Sequence, residues 1–302
     1  EMERSLQVLD LAILLINGQD GIQSHTSTIW KCLKHYKIPT LIFINKMDIS
    51  YKTQEELMND LKTHFSSNCI NFKSEDAEDE LSMLNKDIMN HYLETEEIDS
   101  SLLQQAIVKR ECFPVFFGSA LKIQGIEDLM DAIIDLSFIQ DYPEDFGARV
   151  YKISNDEQGN RLTHVKITGG VLNAKDKVGT DEKVDQIRLY NGKQFEMVQT
   201  AYPGMICALK GLNKYEVGQG LGFESDTTKP LLNAYMNYQL LLPEGVDALT
   251  MMRYCSVLAQ EDPQLQIEYD EQTKQIFLRL MGSVQMEILQ KEIEKRSKVK
   301  VG

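Results

Sequence analysis

Asn45, Lys46 and Asp48 stand where a protein core has no use for them. They follow the apolar run Thr40-Leu41-Ile42-Phe43-Ile44 directly, as Asn-Lys-Met-Asp. A later apolar run, Phe113–Phe117, ends in the small-residue turn Gly118-Ser119-Ala120-Leu121-Lys122. An ionised aspartate accepts two hydrogen bonds at once, which suits a ligand edge with two adjacent N–H donors. Guanine offers such an edge at N1 and its 2-amino group, and adenine does not. A carboxylate facing adenine is left unpaired, so discrimination reaches on the order of 10⁴-fold where the site is fully desolvated. Lys46 can lay its methylene stem along a base plane, and Asn45 can tie its loop to a neighbour. The backbone N–H groups of Ser119, Ala120 and Leu121 can face the O6 acceptor. Asn-Lys-x-Asp also makes an ordinary polar turn between strand and helix. The strand before it and the Gly-Ser-Ala turn after the later strand favour the guanine reading.

These residues need strands to carry them, because an open parallel sheet binds ligands at the carboxyl ends of its strands. The first 140 residues supply that alternation. Leu11–Asn17 is a continuous apolar run, as in a strand covered on both faces. Ile22–Tyr36 shows helical spacing at Ile22, Ile29, Trp30 and Leu33. Thr40–Asn45 is a second buried strand, and Gln54–Phe65 a helix with Leu57, Met58, Leu61 and Phe65 on one face. Residues 66–82 read as a polar, acidic surface loop. Leu84–Tyr92 and Ser101–Arg110 read as short helices, Phe113–Phe117 as a third strand, and Ile126–Phe138 as a long helix. The alternation predicts a parallel sheet flanked by helices.

The period changes near Asp141. Ala148–Ile153, Arg161–Ile167 and Lys183–Tyr190 read as short strands, separated by turns such as Gly169-Gly170, Asn191-Gly192 and Pro203-Gly204. This predicts a small antiparallel β-barrel over residues 142–231. Over residues 232–302 the order is strand Tyr235–Leu242, helix Val246–Gln260, strands Leu265–Asp270 and Gln275–Met281, helix Val284–Arg296 and a last strand Lys298–Val301. That is the ferredoxin-like βαββαβ order. The chain thus reads as a multidomain α/β + β + α+β protein with boundaries at 1–141, 142–231 and 232–302.

Bulk properties narrow the function classes. The 302 residues are 42% apolar, enough for about two or three domains with cores. No apolar run is long enough to span a membrane, and Glu1-Met2-Glu3-Arg4 lacks the basic-then-apolar pattern of a signal peptide. The five cysteines are scattered and never form CxxC, which suits free thiols in a reducing, cytoplasmic compartment and offers no zinc ligand cluster. No metal site is expected. The net charge of −14 disfavours non-specific adhesion to nucleic acid, yet much of the acidity lies between Glu75 and Asp99, so a local basic face stays open.

At this point the chain resembles a translational GTPase of the elongation factor G class. Ile44-Asn45-Lys46-Met47-Asp48 resembles the family's fourth guanine-nucleotide motif and Gly118–Lys122 its fifth. Arg4–Asp10 resembles the end of the switch II helix, and Leu14–Asn17 with Asp20-Gly21-Ile22-Gln23 the strand and turn that follow it. Thr163–Val178 is similar to a strand pair of domain II, and Glu261-Asp262-Pro263 to the lead into the domain III hairpin. Leu280–Glu287, with Gly-Ser-Val-Gln-Met-Glu, is nearest the tetracycline-resistance ribosomal protection proteins of the TetM/TetO type. The resemblance runs through the whole chain in order. It implies a partial P-loop-GTPase-type sheet, a domain II barrel and a ferredoxin-like domain III. It also implies GTP or GDP with magnesium in the parent protein, action on the ribosome, no membrane partner and a monomer.

The departures are specific. The string GxxxxGK[ST] is absent from the sequence, as are the DxPGH motif with its histidine and the switch I threonine. Phosphoryl transfer depends on phosphate cradling and metal neutralisation, so no catalytic residue is assigned, and this chain by itself is expected to bind no cofactor. The resemblance therefore implies a section of a longer protein, truncated at both ends. The reduced stretch between Asp48 and Ser119 and the Gly-Ser-Val-Gln-Met-Glu string favour the ribosomal protection type over a translocation factor. A non-catalytic ribosome-binding module, or another elongation factor G-like or release-factor GTPase, is the alternative.

Other residues carry milder expectations. Trp30, Met281 and Met286 read as core, and the acidic runs Glu75–Glu80 and Glu94–Asp99 as solvated surface. Lys291, Lys295, Arg296, Lys298 and Lys300 crowd the last helix and strand, where some could contact ribosomal RNA or the protein's own switch region.

Overall fold

A computed structural model describes residues 2–138, 140–179, 181–228, 230–231, 234–262 and 264–302. Pro263 of the Glu-Asp-Pro stretch and Leu232, the expected start of a third domain, lie outside the described residues. The chain forms two compact units, one of residues 9–141 and one of residues 1–8 with 142–302.

Helix α1 (Met2–Leu6) belongs to the second unit. The first unit contains β1 (Ala12–Asn17), α2 (Ser24–His35), β2 (Thr40–Asn45), α3 (Gln54–His64), β3 (Cys69–Asn71), α4 (Ala77–Ser82), α5 (Lys86–Thr95), α6 (Ser100–Val108), β4 (Phe113–Phe117) and α7 (Ile126–Leu136). Its four strands are all parallel, in the order β1-β2-β4-β3. β2 is buried from Thr40 to Ile44. Leu41 and Phe43 pack on one face with Phe116, Leu129, Ala132 and Leu136. On α2, Trp30 is buried and stacks on Phe65 with ring centroids 4.5 Å apart, so it is a core residue.

Two expectations need correction here. Residues 66–82 are not all loop: β3 is a buried strand paired in parallel with β4, Cys69 opposite Phe113, and α4 follows it. Three residues are too few to show a period, and their polar flanks hid them. β1 is an edge strand covered on one face only. Leu14 and Ile16 are buried, but Ile13 is 44% and Leu15 61% exposed. A continuous apolar run reports that both faces are apolar, not that both are covered.

The second unit continues with β5 (Gly147–Asn155), β6 (Arg161–Gly169), β7 (Leu172–Asn173), β8 (Lys177–Val178), β9 (Glu182–Lys183), β10 (Gln186–Asn191), β11 (Gln194–Val198), β12 (Thr200–Ala201), β13 (Ile206–Lys210) and β14 (Gly220–Gly222). Six of these form an antiparallel sheet in the order β11-β10-β13-β6-β5-β14, and β12-β7 and β8-β9 pair separately. Their inward residues, among them Val150, Val165, Ile167, Ile187 and Leu209, make one core.

After them come β15 (Met236–Leu240), α8 (Ala248–Glu261), β16 (Gln266–Asp270), β17 (Gln275–Leu280) and α9 (Ser283–Ser297). The sheet order is β15-β17-β16, antiparallel, over a core of Leu240, Met251, Cys255, Ile276, Leu278, Leu280 and Ile293. The expected last strand, Lys298–Val301, is not a regular strand. Lys298 adopts a left-handed conformation with φ 60°. Just beyond it Gly302 pairs with Leu241, the residue after β15, with Leu241 N–H donating to Gly302 O at 2.8 Å and Gly302 N–H to Leu241 O at 3.0 Å.

Candidate functional site

The site is built at the carboxyl ends of β2 and β4. Both strands are apolar and buried, and the chain turns polar where each leaves the sheet. Asn45 joins the two turns. Its side-chain Oδ1 accepts from Lys46 N–H at 2.8 Å and from Ala120 N–H at 2.9 Å. Backbone bonds reinforce the joint, with Gly118 N–H donating to Ile44 O at 2.9 Å and Met47 N–H to Gly118 O at 3.0 Å. Lys46 takes the left-handed region at φ 64°, which a non-glycine residue occupies only when its surroundings impose it.

Asp48 comes next. Its side chain is only 11% exposed and lies 3.5 Å from the Lys122 Nζ. The Ser119 hydroxyl, and after it the local backbone and the Lys122 charge, hold the Asp48 carboxyl below the usual carboxylate range. Ser119 is itself buried. Its N–H donates to Gln124 O at 3.0 Å and its carbonyl accepts from Gln124 N–H at 3.0 Å, closing the turn. Of the three expected amides, Ser119 uses its N–H on Gln124 and Ala120 uses its N–H on Asn45. Leu121 is 91% exposed.

The loop beyond Asp48 is anchored twice. The Ser50 hydroxyl donates to Gly18 O at 3.1 Å. Thr53 then caps α3 reciprocally, accepting from Glu56 N–H at 3.2 Å while its own N–H donates to the Glu56 carboxylate at 2.8 Å.

All six expected residues, Asn45, Lys46, Asp48, Ser119, Ala120 and Leu121, therefore lie on two adjoining turns. Gly118 and Lys122, which the sequence reading placed in the same turn without giving them a binding role, lie there too. A Cβ on Gly118 would sit 2.1 Å from Gln124 O and 2.9 Å from Phe43 Cζ, so only glycine fits. The signal for both was present in Gly-Ser-Ala-Leu-Lys, but the Lys122–Asp48 pairing is visible only in three dimensions.

The two turns bring a carboxylate, a lysine and backbone N–H groups together at one end of the sheet. The sequence holds no GxxxxGK[ST] string. Among the described residues, no group of three or more His, Cys, Asp or Glu could hold a metal ion.

In the second unit, Arg296 is not a freely presented cation. Its guanidinium donates to both Glu261 carboxylate oxygens, at 2.7 and 3.2 Å. Asn155 Nδ2 donates to the same carboxylate at 2.6 Å, and Arg4 donates to the Glu261 carbonyl. Lys295, 75% exposed at its side chain, stays on the surface.

Comparison with known proteins gives three family-model matches in chain order. They are the elongation factor Tu GTP binding domain over residues 1–138, elongation factor G domain 2 over 145–221 and elongation factor G domain III over 244–302. This chain is related to elongation factor G and the tetracycline resistance proteins.

Among its relatives is tetracycline resistance protein TetP of Clostridium perfringens, 31% identical, matched over all of this chain and 51% of that protein. Tetracycline resistance protein TetM of Ureaplasma urealyticum is 27% identical over all of this chain and 51% of its own length. Elongation factor G of Ureaplasma urealyticum serovar 10 is 23% identical over all of this chain and 55% of that protein. A solved crystal structure from Thermus thermophilus superposes on the whole chain with a TM-score of 0.82 at 16% identity, covering 54% of that protein, which shows the shared fold. This elongation-factor-G-related chain thus spans about half the length of the relatives it matches. No described helix is long and apolar enough to cross a membrane.

Proposed function

We propose that the chain is a section of a ribosome-associated translational GTPase of the tetracycline-resistance ribosomal protection type. In this reading residues 1–141 are part of the GTP-binding domain, 142–231 the domain II barrel and 232–302 domain III. The whole protein binds GTP or GDP with magnesium and acts as a cytoplasmic monomer on the ribosome. The preference for the ribosomal protection type is supported by the 31% identity to TetP, above the 23% to elongation factor G.

In the same reading Asp48 accepts the guanine N1–H and 2-amino donors, Lys46 covers the base plane with its stem, and Asn45 holds the two turns at a fixed spacing. The Ser119-Ala120-Leu121 backbone covers O6, with the Leu121 N–H as the donor. No catalytic role is given to any residue of this chain. The observation that carries the reading is the Asn45 carbonyl oxygen bonded to both Lys46 N–H and Ala120 N–H. It brings a low-exposure carboxylate and a small-residue turn to the same end of a parallel sheet, where such sheets bind ligands.

The test is equilibrium titration of the whole parent protein with a fluorescent GDP analogue, with GDP and ADP as competitors. Displacement by GDP and not by ADP supports base reading by this site. Equal displacement by both, or no binding by the whole protein at any accessible concentration, overturns it.

A further inference from the structure

Lys122 and Asp48 meet where the two turns adjoin. The Lys122 Nζ lies 3.5 Å from the Asp48 Oδ2. The Lys122 side chain is 55% exposed and the Asp48 side chain only 11%, so a solvated ammonium reaches a nearly covered carboxylate. The backbone of that lysine is fixed. Its N–H donates to Ser119 O at 3.1 Å, and Ser119 and Gln124 bridge the turn around it. Ile123, the next residue, takes the left-handed region at φ 59°. The four-carbon stem beyond the backbone is flexible.

A carboxylate has about four lone-pair sites. The Ser119 hydroxyl takes one of them, and the Lys122 ammonium faces another. A flat edge with two adjacent N–H donors needs both carboxylate oxygens at once. An ammonium beside Oδ2 is therefore a rival for such an edge.

Two other roles for Lys122 would have the opposite sign. As a distant attractor of an anionic ligand, or as a prop that orients Asp48, it would strengthen binding. A partly exposed ion pair on a flexible stem orients little. Asp48 has firmer supports in the buried Ser119 and in the turn closed by Ile49 N–H on Lys46 O at 3.2 Å.

We propose that Lys122 is an internal competitor for the Asp48 carboxylate and so limits how tightly this site holds guanine. The proposal rests on the guanine reading above and deepens it. A base with two matching donors displaces the ammonium, which turns to solvent on its stem. As the base leaves, the ammonium takes the carboxylate back, so Asp48 is not left unpaired and release is eased. Adenine presents an acceptor where guanine presents N1–H, so it leaves the ion pair standing.

The experiment uses the whole parent protein as wild type, Lys122→Met and Lys122→Arg, titrated with a fluorescent GDP analogue against GDP and ADP. Methionine removes the charge and arginine keeps it. Lys122→Met should bind GDP about two- to fivefold more tightly, the range set by a partly exposed ion pair, chiefly through slower release. Its competition by ADP should not change. Lys122→Arg should stay close to wild type. The gap between wild type and Lys122→Met should close at about 1 M salt, where the screening length falls to about 3 Å. Removing a cation weakens an anionic ligand by the general field effect, so tighter GDP binding has the sign of competition alone.

Melting midpoints check that each variant is folded. Unchanged or weaker GDP binding by Lys122→Met, beside a guanine-selective wild type, overturns the competitor role and leaves the guanine reading standing. Tightening by Lys122→Arg as large as by Lys122→Met also overturns it. A wild type that binds GDP and ADP alike, or binds neither, removes the guanine reading and the competitor role with it.

Discussion

The Asn45 side-chain oxygen receives the Ala120 N–H at 2.9 Å across 75 residues of chain. It also receives the Lys46 N–H at 2.8 Å, so one carbonyl oxygen fixes the spacing of two loops. Asn45→Ala removes the acceptor from both amides at about 1 kcal/mol each. The melting midpoint of the sheet unit should fall by several degrees, and guanine displacement of a fluorescent nucleotide should weaken with it. Asn45→Asp keeps the acceptor and should restore most of the stability. A melt in which Ala and Asp behave alike would contradict this role.

Asp48→Asn should change which base is preferred. An amide offers one acceptor and one donor where the carboxylate offered two acceptors. Xanthine replaces the 2-amino donor of guanine with a carbonyl, so it complements the amide. Selectivity for guanine over adenine should drop on the order of 100-fold, and xanthine nucleotide should become the better competitor. Unaltered guanine selectivity would remove Asp48 from the site.

The Asp48 carboxyl titrates low because the Ser119 hydroxyl, and behind it the backbone and Lys122, favour the ionised form. A depressed folded pKa contributes stability that is present above the ordinary carboxylate range and lost as pH falls through the folded pKa. Guanine recognition should therefore be flat through neutral pH and fail only in acid. Ser119→Ala should move the acid midpoint up toward the ordinary carboxylate value. Carboxyl-carbon NMR of Asp48 in both proteins measures the difference directly.

His164 has its folded pKa lowered to about 4 by burial and then by Lys152. The unfolded chain takes up this proton near pH 6.5, so it binds more protons than the folded chain between those values. Stability is full above about pH 6.5 and declines toward about pH 4. His164→Gln should flatten that part of the melting-midpoint profile of the second unit. Persistence of the same slope in the variant would assign it to other groups.

Arg296 and Lys295 are neighbours with opposite expectations. Arg296 is bonded to Glu261, which together with Glu292 raises its pKa, and is 29% exposed at its side chain. Lys295 is 75% exposed. Arg296→Glu should cost about 1–3 kcal/mol of stability, seen as an earlier denaturant midpoint. Lys295→Glu should leave the midpoint unchanged and, on the proposed reading, alter only salt-sensitive association with ribosomes.

Much of this protein was legible as sequence. The run Thr40–Ile44 had to be a buried strand, and three polar residues at its end had to meet something other than core. Likewise Gly-Ser-Ala after Phe117 marked a tight turn, and the shift in period near Asp141 marked a change of architecture. These are local properties: alternation, helical spacing and turn chemistry act within a few residues. The β3 strand at Cys69–Asn71 escaped because its pairing with β4 supplies what three residues cannot. The exposure of Ile13 and Leu15 escaped because coverage belongs to the neighbour, not to the strand. The sequence by itself determined which residue types stand at the strand ends, and so which base chemistry is possible. Only the tertiary structure decided that Asn45 reaches Ala120, that Lys122 faces Asp48, and that Gln124 excludes a side chain at Gly118. Those relations join residues about 70 positions apart or fold a turn back on itself, and no spacing along the chain encodes them. The same holds for the rings of Tyr151, His164, Tyr190 and Phe195, which come from β5, β6, β10 and β11 and are brought near one another in turn only by the antiparallel sheet, in which β13 lies between β6 and β10.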